Sequence, residues 1–356
     1  MDYLNEILSH FSVDVTIEPY GNGHINDTYL TGSSPRYILQ RINTNVFKNP
    51  KEVMDNILNV TEHVRKKIIA AGGDPERETL RVIKTKTGEN YYEAKNGDCY
   101  RMYNYIENSV SYDITETPEQ LFQAGRAFGR FQNMLSDFPA DKLFETIPDF
   151  HDTRKRFENL KNAIKADKAG RAASVKDEID FALSFEKEVG IVVDALKDGS
   201  LPCRVTHNDT KLNNVMFDKE TGEAVCVIDL DTVMPGSLLY DYGDALRFGA
   251  STGAEDETDL SKIEFSLEYF EAFTNGFLGE LGSAITEKEC ELLAFSAKLI
   301  TYEIGIRFLT DYLEGDTYFK IHREHHNLDR CRTQFKLVAD IEKKTDKMNE
   351  IIKKYI

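Results

Sequence analysis

The sequence predicts an α+β chain in two parts. A small antiparallel sheet lobe with one helix occupies residues 1–107, and a larger, mainly helical lobe occupies 108–356. Three observations predict it. β-forming runs separated by turn signals crowd into the first hundred residues. Helical periodicity dominates from about residue 108 onward. One compact strand-like island, 203–230, interrupts the helical stretch. A length of 356 residues suits two domains, each large enough for its own core.

The elements follow in order. Val15 to Pro19 reads as a short strand, and Gly21-Asn22-Gly23-His24-Ile25-Asn26 as a loop. Thr28 to Thr31 is a second strand, Gly32 to Pro35 a turn, and Arg36 to Ile42 a third strand rich in β-formers. After Pro50, Val53, Ile57, Val60, Val64 and Ile68 recur at spacings of three and four, a helix that Gly72-Gly73 stops. Asn90 to Ala94 and Cys99 to Ile106 flank Asn96-Gly97, whose tolerance of positive φ makes a hairpin, with Arg81 to Lys86 pairing beside it. Tyr103 to Ser109 is the expected hinge. Pro118 opens a helix with Leu121, Ala124, Phe128, Phe131 and Leu135 on one face, and 151–199 and 260–356 read as further helices.

Composition narrows the function. Lys plus Arg number 44 against 61 Asp plus Glu, a net charge of -17, which argues against binding through a broad basic surface to nucleic acid or to an anionic membrane. A small anionic ligand held by a few local donors stays open. The five cysteines are scattered without a CxxC pair, as expected in a reducing compartment. The N-terminal residues lack the apolar core of a signal peptide, so a cytoplasmic location is expected.

The island carries the chemistry. It reads VTHNDTKLNNVMF, a turn DKETGE, then AVCVIDLD, two short apolar strands around a glycine turn. Centred between Thr221 and Gly222, the hairpin sets Asn214 opposite Asp229. An amide oxygen beside a carboxylate suits Mg²⁺, which takes few protein ligands and leaves room for phosphate oxygens. Asp209 precedes Asn214 by five residues. His207-x-Asp209 followed by Asn214 and a strand-borne Asp229 matches the catalytic-loop spacing of kinases, in which the Asp serves the acceptor hydroxyl and the Asn the metal. His207 is read as a scaffold, and Asp241 and Asp244 as caps and braces for the loop. Asp231 is read as a turn cap or an additional metal ligand. His322, His325 and His326 lack a well-spaced fourth ligand and are read as a solvated turn.

The chain resembles the aminoglycoside phosphotransferase and choline kinase superfamily, and within it the N-acetylhexosamine 1-kinases. The segments that carry the resemblance are EPYGNGHINDTYL (18–30), RYILQRIN (36–43), FHDT (150–153), VTHNDTKLNN (205–214), VIDLDTVMPGSLLYDYGDALRFGAST (227–252), RFLTDYLEGDTYF (307–319) and NLDRCRTQFKLV (327–338). The resemblance implies a two-lobed protein-kinase-like fold, ATP as co-substrate, Mg²⁺, and phosphorylation of the anomeric hydroxyl of N-acetylglucosamine or N-acetylgalactosamine. The competing readings are a choline, homoserine or aminoglycoside kinase of the same fold, and a pseudokinase. The last would have lost one of Asp209, Asn214 or Asp229, and all three are present.

Roles follow residue by residue. Asp209 is the catalytic candidate, and Asn214 and Asp229 are the metal candidates. Gly21 and Gly23 lie where a phosphate-covering loop would present its backbone N–H groups. Together with Asn26, Arg41 and the hinge residue Tyr105 they form the nucleotide set. The third strand, RYILQRI, has no central lysine for the phosphates; Arg41 is the nearest cation and Gln40 the alternative, while Glu52 and Glu62 compete as its helix partner. His24, Arg307 and Tyr318 form the sugar set. Arg307 is a lone cation in the apolar run EIGIRFL, which needs a partner or a cleft; the plainer alternative is an ion pair with Asp311 or Glu303.

Overall fold

The computed structural model describes residues 2–11, 13, 16–21, 26–32 and 34–356. Its elements, in chain order, are α1 (Asp2–Ser9), β1 (Ile17–Pro19), β2 (Asp27–Thr31), β3 (Tyr37–Ile42), α2 (Pro50–Ala70), β4 (Tyr92–Glu93), β5 (Cys99–Asn104), β6 (Ser109–Val110), α3 (Pro118–Met134), α4 (Thr153–Ala166), α5 (Lys176–Ser184), α6 (Ile191–Asp198), β7 (Arg204–Thr206), β8 (Val215–Asp218), β9 (Ala224–Val227), β10 (Met234–Gly236), α7 (Leu238–Gly249), α8 (Leu267–Leu281), α9 (Glu287–Glu314) and α10 (His326–Ile352). The α+β class holds. By internal packing the chain forms two compact units. One comprises 1–112, 134–148 and 213–235, the other 113–133, 149–212 and 236–356.

The first unit is built on an antiparallel sheet in the order β1-β2-β3-β5-β4. Pairing of Tyr29 with Leu39, and of Leu39 with Met102, stacks apolar residues on one face. Leu39, Tyr100 and Met102 meet Ile7, Leu8 and Phe11 there. Ile7 and Leu8 come from α1, a helix not anticipated from the sequence; its eight residues are too few for a periodic pattern to stand out. Its apolar side finds a partner only in the folded sheet. Asn49 caps α2, accepting the Glu52 N–H, and Pro50 fits the first turn, where no N–H is needed. Val82 bridges to Tyr103, as the expected pairing of 81–86 requires. Val15 lies outside the described residues.

Helix α9 runs through the second unit, packed by α10, α7 and α4. A capping box starts it, with Thr286 and Glu289 exchanging side-chain to backbone bonds, and Gly315 ends it in the left-handed conformation at φ 99°. Phe157, Leu160, Tyr302, Leu309 and Phe335 fill the core around it. Helices α3 and α8 cross closely because Gly125, Gly129 and Gly276 carry no Cβ; one at Gly129 would strike the Phe277 carbonyl.

Candidate active site

In the second unit β7 delivers the chain into the loop His207–Lys211. Helix α7 holds that loop. Ser237 caps α7, accepting the Leu239 N–H at 3.3 Å, so the cap expected of Asp241 and Asp244 falls to this serine. Asp241 braces instead. Its Oδ2 accepts the His207 N–H at 2.9 Å and the Gln132 amide at 2.6 Å, and its Oδ1 accepts the Asn208 N–H at 2.7 Å. Asn208 is thereby held at φ 66°, a conformation that costs a non-glycine residue energy. Burial pushes the Asp241 carboxyl pKa up, while His207 and the N–H donors pull it back. Asp244 accepts the Thr210 N–H at 3.0 Å and pairs with Arg247 at 3.1 Å.

The His207 ring is buried edge-on against Phe128 and Phe131, and its Nδ1 accepts the Asp209 N–H at 3.2 Å. It is a scaffold for the loop. Asp209 is left partly exposed, with Lys211 Nζ 2.8 Å from its Oδ1. Partial burial pulls the Lys211 pKa down, but the charges of Asp209 and Asp244 outweigh it and the net shift is upward. A carboxylate fixed by its backbone, open to solvent and partnered by a protonated amine, can orient a hydroxyl and accept its proton.

In the first unit Asn214 stands at the start of β8 and Asp229 at the exit of β9. The register differs by one from the expected one. Val215 pairs with Val227, a bulge follows at Met216/Phe217, and the Ile228 N–H donates to the Asn214 carbonyl at 2.9 Å. The turn is centred between Glu220 and Thr221, one residue earlier than expected, which moves the register by two; the bulge returns one, so Ile228 rather than Asp229 stands opposite Asn214. Asp229 then leaves the ladder in the left-handed conformation, φ 58°, at the same end of the hairpin. One amide oxygen and one carboxylate make a hard, sparse donor set. Among the described residues no three His, Cys, Asp or Glu gather into a metal-binding group. The donors fit a Mg²⁺ ion that completes its shell with phosphate oxygens and water.

The nucleotide candidates lie in the first unit. Gly21 is left-handed at φ 73°, with open space where a Cβ would sit. Gly23 and His24 lie outside the described residues. Asn26 is buried; its Oδ1 accepts the Asn43 N–H at 3.0 Å and its amide donates to Asp231 Oδ2 at 2.7 Å. Arg41 lies on the Leu39 face of β3, exposed beyond the part covered by α1, and pairs with Asp27 and Asp98. Tyr105 lies beneath the Arg36 guanidinium and edge-on to Tyr20, whose pKa is pushed up to about 12 by burial and its contact with Tyr105. The inward cation of the sheet is Arg101 on β5, which sequence reasoning missed. It pairs with Asp231, which is thereby occupied as neither of its expected roles foresaw.

Arg307 sits in the second unit with Phe150, Tyr318 and Phe319, ring centroids 5.5–6.0 Å from its guanidinium carbon. The ion pairs considered for it are taken elsewhere. Asp311 accepts the backbone N–H groups of Thr317, Tyr318 and Phe319, folding that segment back over α9. Glu303 is bound to His151 Nδ1 at 2.8 Å and to the Thr153 hydroxyl at 2.5 Å, and these partners hold its carboxyl below the usual range despite burial. Burial and the neighbouring Arg156 lower the Arg307 pKa. Tyr318 is 72% exposed beside it. His325 and His326 are engaged with Tyr312 and Asp256.

Residues 16–273 match the family model described as "Phosphotransferase enzyme family". The chain belongs to this family. Solved structures share its fold. A microcompartment-associated aminopropanol kinase aligns at 13% identity and TM-score 0.60, covering 98% of both chains. The amicoumacin kinase hAmiN, solved with AMP-PNP and Ca²⁺, aligns at 14% and 0.61, covering 96% of this chain and 93% of its own. The choline kinase LicA from Streptococcus pneumoniae aligns at 13% and 0.55, covering 95% and 98%. In this phosphotransferase, sequence reasoning also passed over Lys211, though its place two residues after Asp209 was a usable signal. No helix among the described residues is long and apolar enough to cross a membrane.

Proposed function

We propose that the protein is an ATP-dependent small-molecule kinase that phosphorylates the anomeric hydroxyl of N-acetylglucosamine or N-acetylgalactosamine. Asp209 orients that hydroxyl and takes its proton as the new O–P bond forms and the bond from the γ-phosphorus to the β–γ bridging oxygen breaks, releasing ADP. His207 and Asp241 fix the loop that carries Asp209. Lys211 stabilises the Asp209 carboxylate before transfer. Asn214 and Asp229 hold Mg²⁺, which offsets charge on the phosphate oxygens. Backbone N–H groups of the Gly21–Gly23 loop cover the phosphates, and Tyr105 flanks the base.

The observation that carries the choice of substrate is Arg307. A guanidinium set among aromatic rings, with Arg156 nearby and the closest carboxylate already bound to His151, disfavours choline, an aminoglycoside or another cationic acceptor. An uncharged, oxygen-rich sugar with an acetamido group accepts hydrogen bonds from Arg307 and stacks or bonds with Tyr318; His24 belongs to the same set. The test is ADP release over a panel of N-acetylhexosamines, choline, homoserine and aminoglycosides. Turnover confined to the sugars supports the reading, and turnover of a cationic acceptor alone refutes it. Asp209→Asn should lower kcat by about 10²–10⁴-fold with ADP affinity retained; more than half of wild-type kcat removes Asp209 from this role.

A further inference from the structure

Kinases of this plan draw a lysine from the third strand toward the nucleotide phosphates and pair it with a glutamate on the following helix. Here Gln40 occupies the inward position on β3, and it pairs across the sheet with Arg101 on β5. Gln40 Oε1 accepts from Arg101 Nε at 3.1 Å and from Nη2 at 2.9 Å. The other branch of the guanidinium, Nη1, is in contact with Asp231. Both side chains are enclosed, Arg101 at 1% exposure and Asp231 at 4%. The second oxygen of Asp231 accepts from Asn26, the residue directly before β2. Asp231 also lies two residues beyond Asp229, in the same short turn. The carboxylate of this cluster comes from the turn after β9, not from Glu52 or Glu62 of α2.

We propose that Arg101 is a positioning residue for the nucleotide–metal site, acting from β5 through Asp231 and not as the phosphate contact that the third-strand lysine supplies. It does not touch phosphate. Its fork spans two partners at once, which a lysine ammonium on the same strand cannot reproduce. One Asp231 carboxylate thereby ties the turn that presents Asp229 to Asn26, the residue directly before β2. A buried ion pair is weak evidence for stability, and in some proteins it serves to fix one geometry; fixed geometry is what two separate phosphate-facing segments need.

This inference rests on the kinase reading, so its test uses equilibrium binding as well as turnover. The probe is ADP with Mg²⁺, titrated by calorimetry into wild type, Arg101→Lys and the charge-balanced double variant Arg101→Met/Asp231→Asn. Each variant is first shown to melt cooperatively. Binding is expected to weaken at least about tenfold in both, with KM for the sugar unchanged. A folded variant that binds Mg·ADP within about threefold of wild type overturns the proposal, as does failure of both variants to fold, which makes the pair structural. Wild type that binds no Mg·ADP refutes the kinase reading itself.

Discussion

Replacing Asp241 by asparagine changes a single oxygen to an amide nitrogen and tests how the proposed catalytic loop, His207–Lys211, is held. Three N–H donors converge on this carboxylate, two of them on Oδ2 and one on Oδ1. An asparagine serves them best with its carbonyl in the Oδ2 position. The amide nitrogen then faces the Asn208 N–H, donor against donor. One charge-assisted bond is lost and one buried N–H is left unpaired, together about 2–4 kcal/mol. Against a total stability of about 5–15 kcal/mol the variant still folds, with a midpoint lowered by several degrees. Activity suffers separately. The unpaired N–H belongs to a residue held at φ 66°, directly before Asp209, so the loop relaxes where the carboxylate must be aimed. A displacement near 1 Å costs about 10²-fold in rate. Steady-state kinetics well below the new midpoint should therefore show kcat down about 10–100-fold, with the affinity for ADP unchanged. An Asp241→Asn enzyme with wild-type kcat and wild-type melting refutes the bracing role.

Arg307→Ala should raise KM for the N-acetylhexosamine about 10–100-fold, the worth of one or two bonds from a charged donor, while KM for ATP stays put; equal KM values for the sugar in variant and wild type make Arg307 structural. Asp218 tests the pH dependence of stability. The Thr221 N–H, Arg77 and the Glu220 N–H bring its pKa from an ordinary 3.8 down to about 2. Because the folded value lies below the unfolded one, its stabilisation is complete above about pH 4 and disappears as pH falls toward 2. Thermal midpoints measured from pH 5 to 2 should fall less steeply in Asp218→Asn than in wild type, and parallel curves disprove the assignment.

What was legible in the sequence is what local chemistry determines. Strands rich in β-formers, the Asn96-Gly97 hairpin and the periodic helix after Pro50 need only near neighbours, and they appear where expected. The run from His207 to Asn214 could be singled out for the same reason, since the spacing of His207, Asp209 and Asn214 lies along one short segment. Register was less secure. A bulge at Met216/Phe217 depends on how one strand fits its neighbour, and no residue there announces it. The turn itself falls one residue early, between Glu220 and Thr221, and the bulge returns only half of that shift, so the partner of Asn214 moves by one and the left-handed turn at Asp229 sets the carboxylate's position.

The missing lysine shows the limit most clearly. Scanning the third strand for a cation leads to Arg41, because proximity in sequence is all that such a scan can weigh. Arg41 and Gln40 are adjacent, and adjacent residues of a strand point to opposite faces. Only one of them can face inward, and the cross-strand partner of the inward one is 61 positions away. Arg101 in CYRMYN looks like a solvated charge on an edge; it becomes an enclosed cation only when Gln40 accepts from one side of its fork and Asp231 meets the other. Charge placed by tertiary pairing leaves no period or spacing to read. The same pairing dictates that Asp231, which in DLDT looks as available as Asp229, is committed to holding the turn, leaving Asp229 as the carboxylate of that turn that faces solvent.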